Sequence, residues 1–578
     1  MPTVMNVIQR LLPDGTRPAR KRARKPDWAQ CPVWPPDLFA VAATLVDTSG
    51  CYSHPRYTSV SRTSLFATPK YAADVRRIAQ NWIAALQPPA DVQRLWDVLR
   101  RTDTARGAAS APLGTDPNQN PPPWCDAAMQ LMAIADEAST GMGFVAEGTN
   151  PFADYVFMEH ESLLQKTQRA LPYLPASLCR MVPSTEACVQ PKTCTVQVGC
   201  TLRSLSHHLA LLPPEGDLRT RWLFAVGASD LQEDPSEDPA AALAPFNVLL
   251  VPFPYRIDGN CFLEDAKLGI TPRNAATFFL VRQQWLQPSG GGPTSSALAS
   301  FLEELVRTAE SEVRRVHGIV LPEIALDAAR ARHVARHLAA KTDLELFVTG
   351  VADATRATNS SCAFRFAPRA QGRTGILSEW EQKKHHRWKL TADQIRRYHL
   401  GDALWKGAAA WWERIDVSDR TCFFYVLRPA ASVVTLVCED LARVDPVQTA
   451  IRAVGPNLVI ALLMDGPQLE KRWPGRHATV LADDPGSAVL TLTSLGMVRR
   501  SSMPGEKEPR QIALWKEPSG ETRELQLPRR THALLLTLGQ SRQTTYTLDG
   551  RDDARGTIHL SLTGVRPIKH ARPPAWAN

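Results

Sequence analysis

Nowhere in the 578 residues do apolar side chains run on for the roughly 18 positions that a membrane-spanning helix needs, and the first thirty residues carry neither the apolar stretch nor the small-residue cleavage site of a secretory signal. These absences point to a soluble, cytoplasmic protein with no membrane partner. Cysteine is sparse, 11 residues in all, an odd number without disulfide-framework spacing. That usage suits a reducing compartment and leaves a thiol available as a reagent. There is no GxxxxGKS or GxxxxGKT phosphate loop, no HExxH zinc helix, no GxSxG nucleophile elbow and no GxGxxG following a strand. The commonest nucleotide-binding and serine-hydrolase classes are thereby excluded. Gly141-Met142-Gly143 lacks the third glycine and follows a helical run, so it reads as a turn.

What is present is ordinary globular composition, 44% apolar and 22% charged, in a chain long enough to split into more than one core. The net charge is +9, but six positives fall in one short run: Arg17, Arg20, Lys21, Arg22, Arg24 and Lys25. The excess therefore belongs mostly to an arm, residues 1–30, rather than to a folded surface. Flanked by Pro18 and Pro26, the arm reads as a solvated, disordered terminus; the sharper reading is an electrostatic contact with nucleic acid or an acidic partner.

Helical apolar spacing appears at Ala72–Leu86, Val92–Arg101 and Asp126–Glu137, with a proline-rich loop at 104–123. Residues 31–229 are thus expected to be mainly helical. An acidic, proline-rich linker spans 230–245, between the strand-like runs Trp222–Val226 and Phe246–Val251, which either pair or belong to different units. From 246 to 565 the pattern becomes α/β: strands at Phe246–Val251, Gly318–Leu321, Leu344–Val351, Thr421–Leu427, Ser432–Val437 and Leu458–Leu463, with helices at Ser296–Val313, Asp327–Lys341 and Val447–Val454. Strands follow at Val489–Thr493, Ile512–Trp515, His532–Leu538, Thr544–Leu548 and Thr557–Leu562, then a basic tail, 566–578.

Cys188, Cys194 and Cys200 recur every six residues ahead of His207 and His208. Zinc sites space their cysteines more closely, so structural cysteines are the favoured reading, with the histidines at the start of a leucine-rich helix.

Three residues stand at strand ends: Glu323 in GIVLPEIALD, Lys384 in WEQKKHHRWKL and Cys438 in VTLVCEDLAR. Sheet proteins place reactive groups just past the carboxyl ends of strands. Alone, each has a bland reading: a helix-start carboxylate, one charge in a basic run, a small buried hydrophobe. Together with VLPE, the pair Asn359-Ser360 after a VTGV strand, and an acidic residue two positions after the cysteine, the order resembles the nitrilase, or carbon–nitrogen hydrolase, superfamily over residues 246–562. Ala453-Val454-Gly455-Pro456-Asn457 and Thr493-Ser494-Leu495-Gly496 add weaker likenesses.

The resemblance implies a four-layer αββα sandwich preceded by the helical N-terminal region, and a Glu-Lys-Cys triad that hydrolyses a nonpeptide C–N bond of an amide or nitrile through a thioester. No cofactor and no metal is implied. Cys438 would be the nucleophile, Glu323 the general base and Lys384 the oxyanion-stabilising cation. Lys383 competes with Lys384, because either has a histidine two residues on, and spacing does not decide between them; Lys384, directly before the HHRW run, is preferred. Glu413 in AWWERID, 29 residues past Lys384, is the best match to the family's second glutamate, ahead of Glu379 and Glu381. The interval from Lys384 to Cys438, 54 residues, is longer than in the family, and its segment 390–416 is expected to be helical. Homodimers are common in the superfamily. Residues 179–214 also resemble the region before nitrilase domains associated with bacterial reverse transcriptases in phage defence. That likeness gives the alternative reading: a ligand-sensing or regulatory module acting with such a partner.

Overall fold

In the computed structural model the described residues are 2–16, 25–54, 69–101, 109–116, 118–144, 150–166, 174–194, 199, 201–224, 244–265, 277–366, 375–404, 410–428, 431–502, 508–553 and 556–578. Most of the basic run, 17–24, most of the acidic linker, 230–243, part of the proline-rich loop and Cys200 lie outside them.

Two seven-stranded sheets dominate a mixed α/β architecture. The first runs, edge to edge, Ile376–Lys383, Thr358–Phe366, Leu346–Asp353, Gly318–Val320, Phe246–Leu250, Ala533–Gln543, Thr557–Ile568. The second runs Thr522–Gln526, Gln511–Lys516, Ala488–Thr493, Leu458–Leu463, Ala431–Val437, Thr421–Arg428, Arg219–Leu223. The two strand-like runs flanking the acidic segment therefore do not pair. Arg219–Leu223 adds in parallel to Thr421–Arg428, and Phe246–Leu250 sits inside the other sheet.

Side-chain alternation explains how the second sheet is buried on both faces. Phe423, Tyr425, Val433, Ile460 and Leu462 point into a core shared with the first sheet, where they meet Val248, Phe347 and Phe364. Their sequence neighbours Phe424, Val434, Leu436, Val459 and Ala461 point the other way, into a core filled by helices Pro35–Ser49, Pro69–Ala85, Ala90–Arg100 and Pro123–Ala138. A strand of nearly unbroken apolar residues is stable only when both faces are covered; helix Trp473–Asp483 packs directly on this second face, and its Ala478 and Leu481 share the core with Ala450 and Ile451 of Thr449–Val454 and with the N-terminal helices.

The first sheet is covered by helices Ser295–Glu310 and Ala328–Lys341, whose Leu298, Leu302, Leu305, Val334 and Leu338 join the shared core. Thr294 and Asp327 cap their starts by accepting from the backbone amides of Ala297 (3.2 Å) and Arg330 (2.8 Å), each cap worth about 1 kcal/mol. Most sequence-read elements recur within a few residues; Leu458–Leu463 recurs without change.

Three expectations are corrected. His207 and His208 precede a strand, Leu209–Leu212, paired with Cys188–Pro191, because the leucines face a helical core on one side of a two-stranded ribbon. Among its described residues, segment 390–416 is helical only over Ala392–Arg397; Ala410–Glu413 is a strand in a four-stranded sheet with Lys389–Thr391, Thr277–Val281 and Phe262–Glu264. Residues 544–548 form no strand beyond an isolated bridge from Tyr546 to Asp552, since Asp549 and Gly550 turn the chain back. No helix among the described residues is long and apolar enough to cross a membrane.

Candidate active site

Glu323 follows the Gly318–Val320 strand by three residues, and Ile324 after it adopts φ +57°. The loop fits because residue 350 is glycine: a Cβ there would lie 2.4 Å from the Glu323 Cα and 2.5 Å from the Ile324 nitrogen. Lys384 leaves the end of Ile376–Lys383, its amide donating to the Asn359 carbonyl at 2.8 Å. Cys438 leaves Ala431–Val437 and opens a tight turn, Cys438–Leu441, at φ +48°. That region costs a non-glycine residue about 1–3 kcal/mol and persists only where the surroundings hold it.

Polar bridges between the sheets hold these strands in register beneath the site. The Gln382 amide donates to the Thr435 carbonyl at 2.6 Å and accepts from the Phe423 amide at 3.0 Å, while the Ser361 and Thr435 hydroxyls meet at 2.8 Å. Asp440 then ties the cysteine turn to the lysine loop. Its carboxylate accepts from the His385 amide at 3.1 Å and contacts His386 Nδ1 at 2.9 Å.

The structure brings Glu323, Lys384, Glu413 and Cys438 together, all buried. The Lys384 ammonium donates to Glu323 Oε1 at 2.9 Å and to Glu413 Oε2 at 2.7 Å. The Asn359 amide donates to the same Glu323 oxygen at 2.7 Å and to Glu413 Oε1 at 2.8 Å; the Trp388 amide completes Glu413 at 3.1 Å. Among the described residues, Glu323 Oε2 and Asn359 Oδ1 have no hydrogen-bond partner. Lys383 instead faces Asp416 and Asp419 at 3.4 and 3.6 Å. Glu379 pairs with Arg332, and Glu381 accepts from Ser360.

Burial and charge set the protonation states. Burial would strip the Lys384 proton, but Glu323 and Glu413 outweigh it, and its pKa lies well above the ordinary lysine value. Burial raises the Glu323 carboxyl above its usual range; Lys384 pulls it down and Glu413 pushes it up. Burial and the Glu323 charge drive the Cys438 thiol well above its usual value, against Lys384 and a hydrogen bond from the Met464 backbone. The shifts favour a thiol on Cys438 and an ammonium on Lys384 in the resting site, and make Glu323 a readier proton acceptor than an ordinary carboxylate.

Sequence reasoning put Asn359 only in a motif pair and missed its bridge between two glutamates. Asp440 was noted by spacing; its grip on His385 and His386 needed coordinates. Cys188 and Cys194 do not converge with His207 and His208 on a metal: no group of three or more His, Cys, Asp or Glu among the described residues could hold one. Cys188 donates to the Ser184 carbonyl and Cys194 accepts from Asn457, so both are packed interior thiols.

No protein-family model and no curated protein sequence matches the chain. Solved structures similar to it are members of the nitrilase, or carbon–nitrogen hydrolase, superfamily. An amidase from Nesterenkonia sp. is 12% identical, with TM-score 0.31, over 52% of this chain and 93% of that one. A CN-hydrolase superfamily protein from Xanthomonas campestris is 13% identical, with TM-score 0.30, over 51% and 91%. A carbon–nitrogen hydrolase from Helicobacter pylori is 10% identical, with TM-score 0.27, over 48% and 84%.

Proposed function

We propose that the protein is a thiol-dependent hydrolase of a nonpeptide C–N bond, with amides preferred to nitriles, built on a four-layer αββα sandwich. The observation that carries the reading is Glu323: one oxygen fixed by Lys384 and Asn359, the other buried without a partner. A buried lone pair with nothing to accept is costly unless a proton or a substrate arrives to fill it.

In this mechanism Glu323 takes the Cys438 proton as the sulfur attacks the amide carbon, so the thiolate forms only as the bond does. The developing oxyanion is stabilised by the Lys384 ammonium, whose effect is large because water is excluded. Collapse breaks the C–N bond, the proton passes from Glu323 to the leaving nitrogen, and a thioester on Cys438 remains. Glu323 then deprotonates water, which attacks the thioester and releases the acid and the thiol. Glu413 and Asn359 hold Lys384 and Glu323 in place throughout.

Ammonia release from a panel of small primary amides tests this directly. The protein releases ammonia from at least one, and Cys438→Ala and Glu323→Gln each lower kcat/KM by about 10³-fold or more. Undiminished release by Cys438→Ala would remove the thiol from the chemistry. The alternative, a sensing module working with a reverse-transcriptase partner, is favoured only by the near-complete burial of the thiol, 2% exposed. It predicts ligand binding without release.

A further inference from the structure

No molecule reaches the four side chains of the site without movement: Glu323, Lys384, Glu413 and Cys438 are each at most 3% exposed. Glu323, Lys384 and Cys438 follow strands of the two seven-stranded sheets, which the large shared core holds in place. What packs beside them on the other side is slighter. A third apolar core joins Leu390, Ile395, Tyr398, Leu400 and Leu404 to Ile324, Trp388 and Met464. Ile324 follows Glu323, the Trp388 amide donates to Glu413, and the Met464 backbone bonds to Cys438. Residues 390–404 therefore close off the site through its immediate neighbours.

Little holds this segment down. It belongs to the three-residue strand Lys389–Thr391, at the edge of the four-stranded sheet, and to the six-residue helix Ala392–Arg397. Past that helix a cleft of roughly 800 Å³ lies between Arg396, Arg397 and His399 on one wall and Pro467, Arg472 and Ser501 on the other. Bonds cross this seam at two adjacent residues. The Tyr398 hydroxyl donates to Asp465, which Arg472 also holds at 2.8 Å. The His399 ring meets the Ser502 carbonyl at 3.1 Å, and the His399 carbonyl accepts from Arg500 at 2.7 Å. His399 is kept at φ +51°, left-handed backbone that a residue with a Cβ adopts only when its surroundings impose it. Short elements resting on a small core are the first to open locally, while long sheet strands open only with the whole fold.

We propose that residues 390–404 form a lid that lifts to admit molecules to Cys438, and that the bonds of Tyr398 and His399 across the cleft are its latch. The proposal rests on the hydrolase reading only for what the lid admits, because opening is measured without any substrate. Tyr398 carries the stronger half of the latch, since its buried hydroxyl donates to a carboxylate; deleting it multiplies the open fraction by about tenfold.

The test alkylates the folded full chain with iodoacetamide, in parent and Tyr398→Phe forms, and follows each cysteine by peptide mass. Cys438 reacts about tenfold faster in the variant, while Cys194 and Cys422, buried elsewhere, keep their parental rates. Hydrogen exchange quickens over 390–404 and not in the strand Leu458–Leu463. Arg500→Ala, which frees the His399 carbonyl, moves both readouts the same way. A Cys438 rate unchanged in both variants, or exchange that quickens equally in Leu458–Leu463, overturns the proposal. Acylation of the parent by amides is scored separately. Gated alkylation without any acyl adduct on Cys438 keeps the lid and sinks the hydrolase. Acyl adducts with alkylation indifferent to both substitutions do the reverse.

Discussion

Two places in the molecule bury a cation among carboxylates, and they are finished differently. Arg551, fully buried, donates to Asp549 at 3.0 Å, Asp136 at 3.1 Å, Glu137 at 2.8 Å and the Leu205 carbonyl at 2.6 Å. Asp136 in turn accepts from the backbone amides of His207, His208 and Leu209 at 2.8–2.9 Å. Every strong group there is answered, and the cluster pins the turn at Asp549 to the helix Pro123–Ala138 and the ribbon at 207–209. The Lys384 cluster sits beside a thiol on left-handed backbone and leaves a glutamate oxygen and an amide oxygen unanswered. A saturated network is a structural clamp, and an unsaturated one keeps a place for something else.

The sharpest way to break that contrast is to remove each cation. Lys384→Met should abolish turnover, by about 10³-fold in kcat/KM, while the protein stays folded, because Glu323 and Glu413 can share a proton between them. Arg551→Met leaves three buried or half-buried acids without their cation. It should cost about 3–5 kcal/mol of stability, read by denaturant titration, with loss of activity only as the fold is lost. A Lys384→Met protein that unfolds, or an Arg551→Met protein as stable as the parent, would erase the distinction.

Acid separates the two more gently. Burial pushes the Asp136 carboxyl up, but Arg551 and the two histidines more than offset it, leaving its pKa below the ordinary 3.8. A depressed carboxylate contributes stability above its unfolded pKa and loses it as pH falls through the folded one, so the clamp holds down to about pH 4. Glu323 is shifted the other way, above 4.5, mainly by burial. It must be ionised to accept the thiol proton, so activity falls as pH drops through that raised value. In one pH series, kcat/KM should decline while near-ultraviolet dichroism is unchanged, and the dichroism should change only below about pH 4. Coincident losses would mean that the acidic limb reports unfolding.

Legibility in the sequence divides along the same line. Long apolar strands such as Leu458–Leu463 were readable because periodicity and turn residues are local signals, whereas Glu323, Lys384 and Cys438 stood out only together, through the order of motifs that resembles the nitrilase superfamily. The small sheet holding Glu413 was not, because Lys389–Thr391 and Phe262–Glu264 are three residues long and Ala410–Glu413 pairs with Thr277–Val281, far off in sequence. Lys383 and Lys384 could not be separated by spacing; only Asp416 and Asp419, which face Lys383, distinguish them in space. The Arg551 clamp was invisible for a simpler reason. LDGRDD reads as a polar turn, and nothing local says that its arginine is buried against a helix more than 400 residues earlier.

The central claim is that Cys438 forms a covalent acyl intermediate. Intact-mass measurement of the full chain, mixed rapidly with amide and nitrile panels and quenched in acid, tests it most directly. The expected result is a mass increase equal to the acyl group, mapped to the peptide containing Cys438 and absent from Cys438→Ala. No adduct from any compound on folded protein, or an adduct carried by one of the other cysteines, would contradict the account.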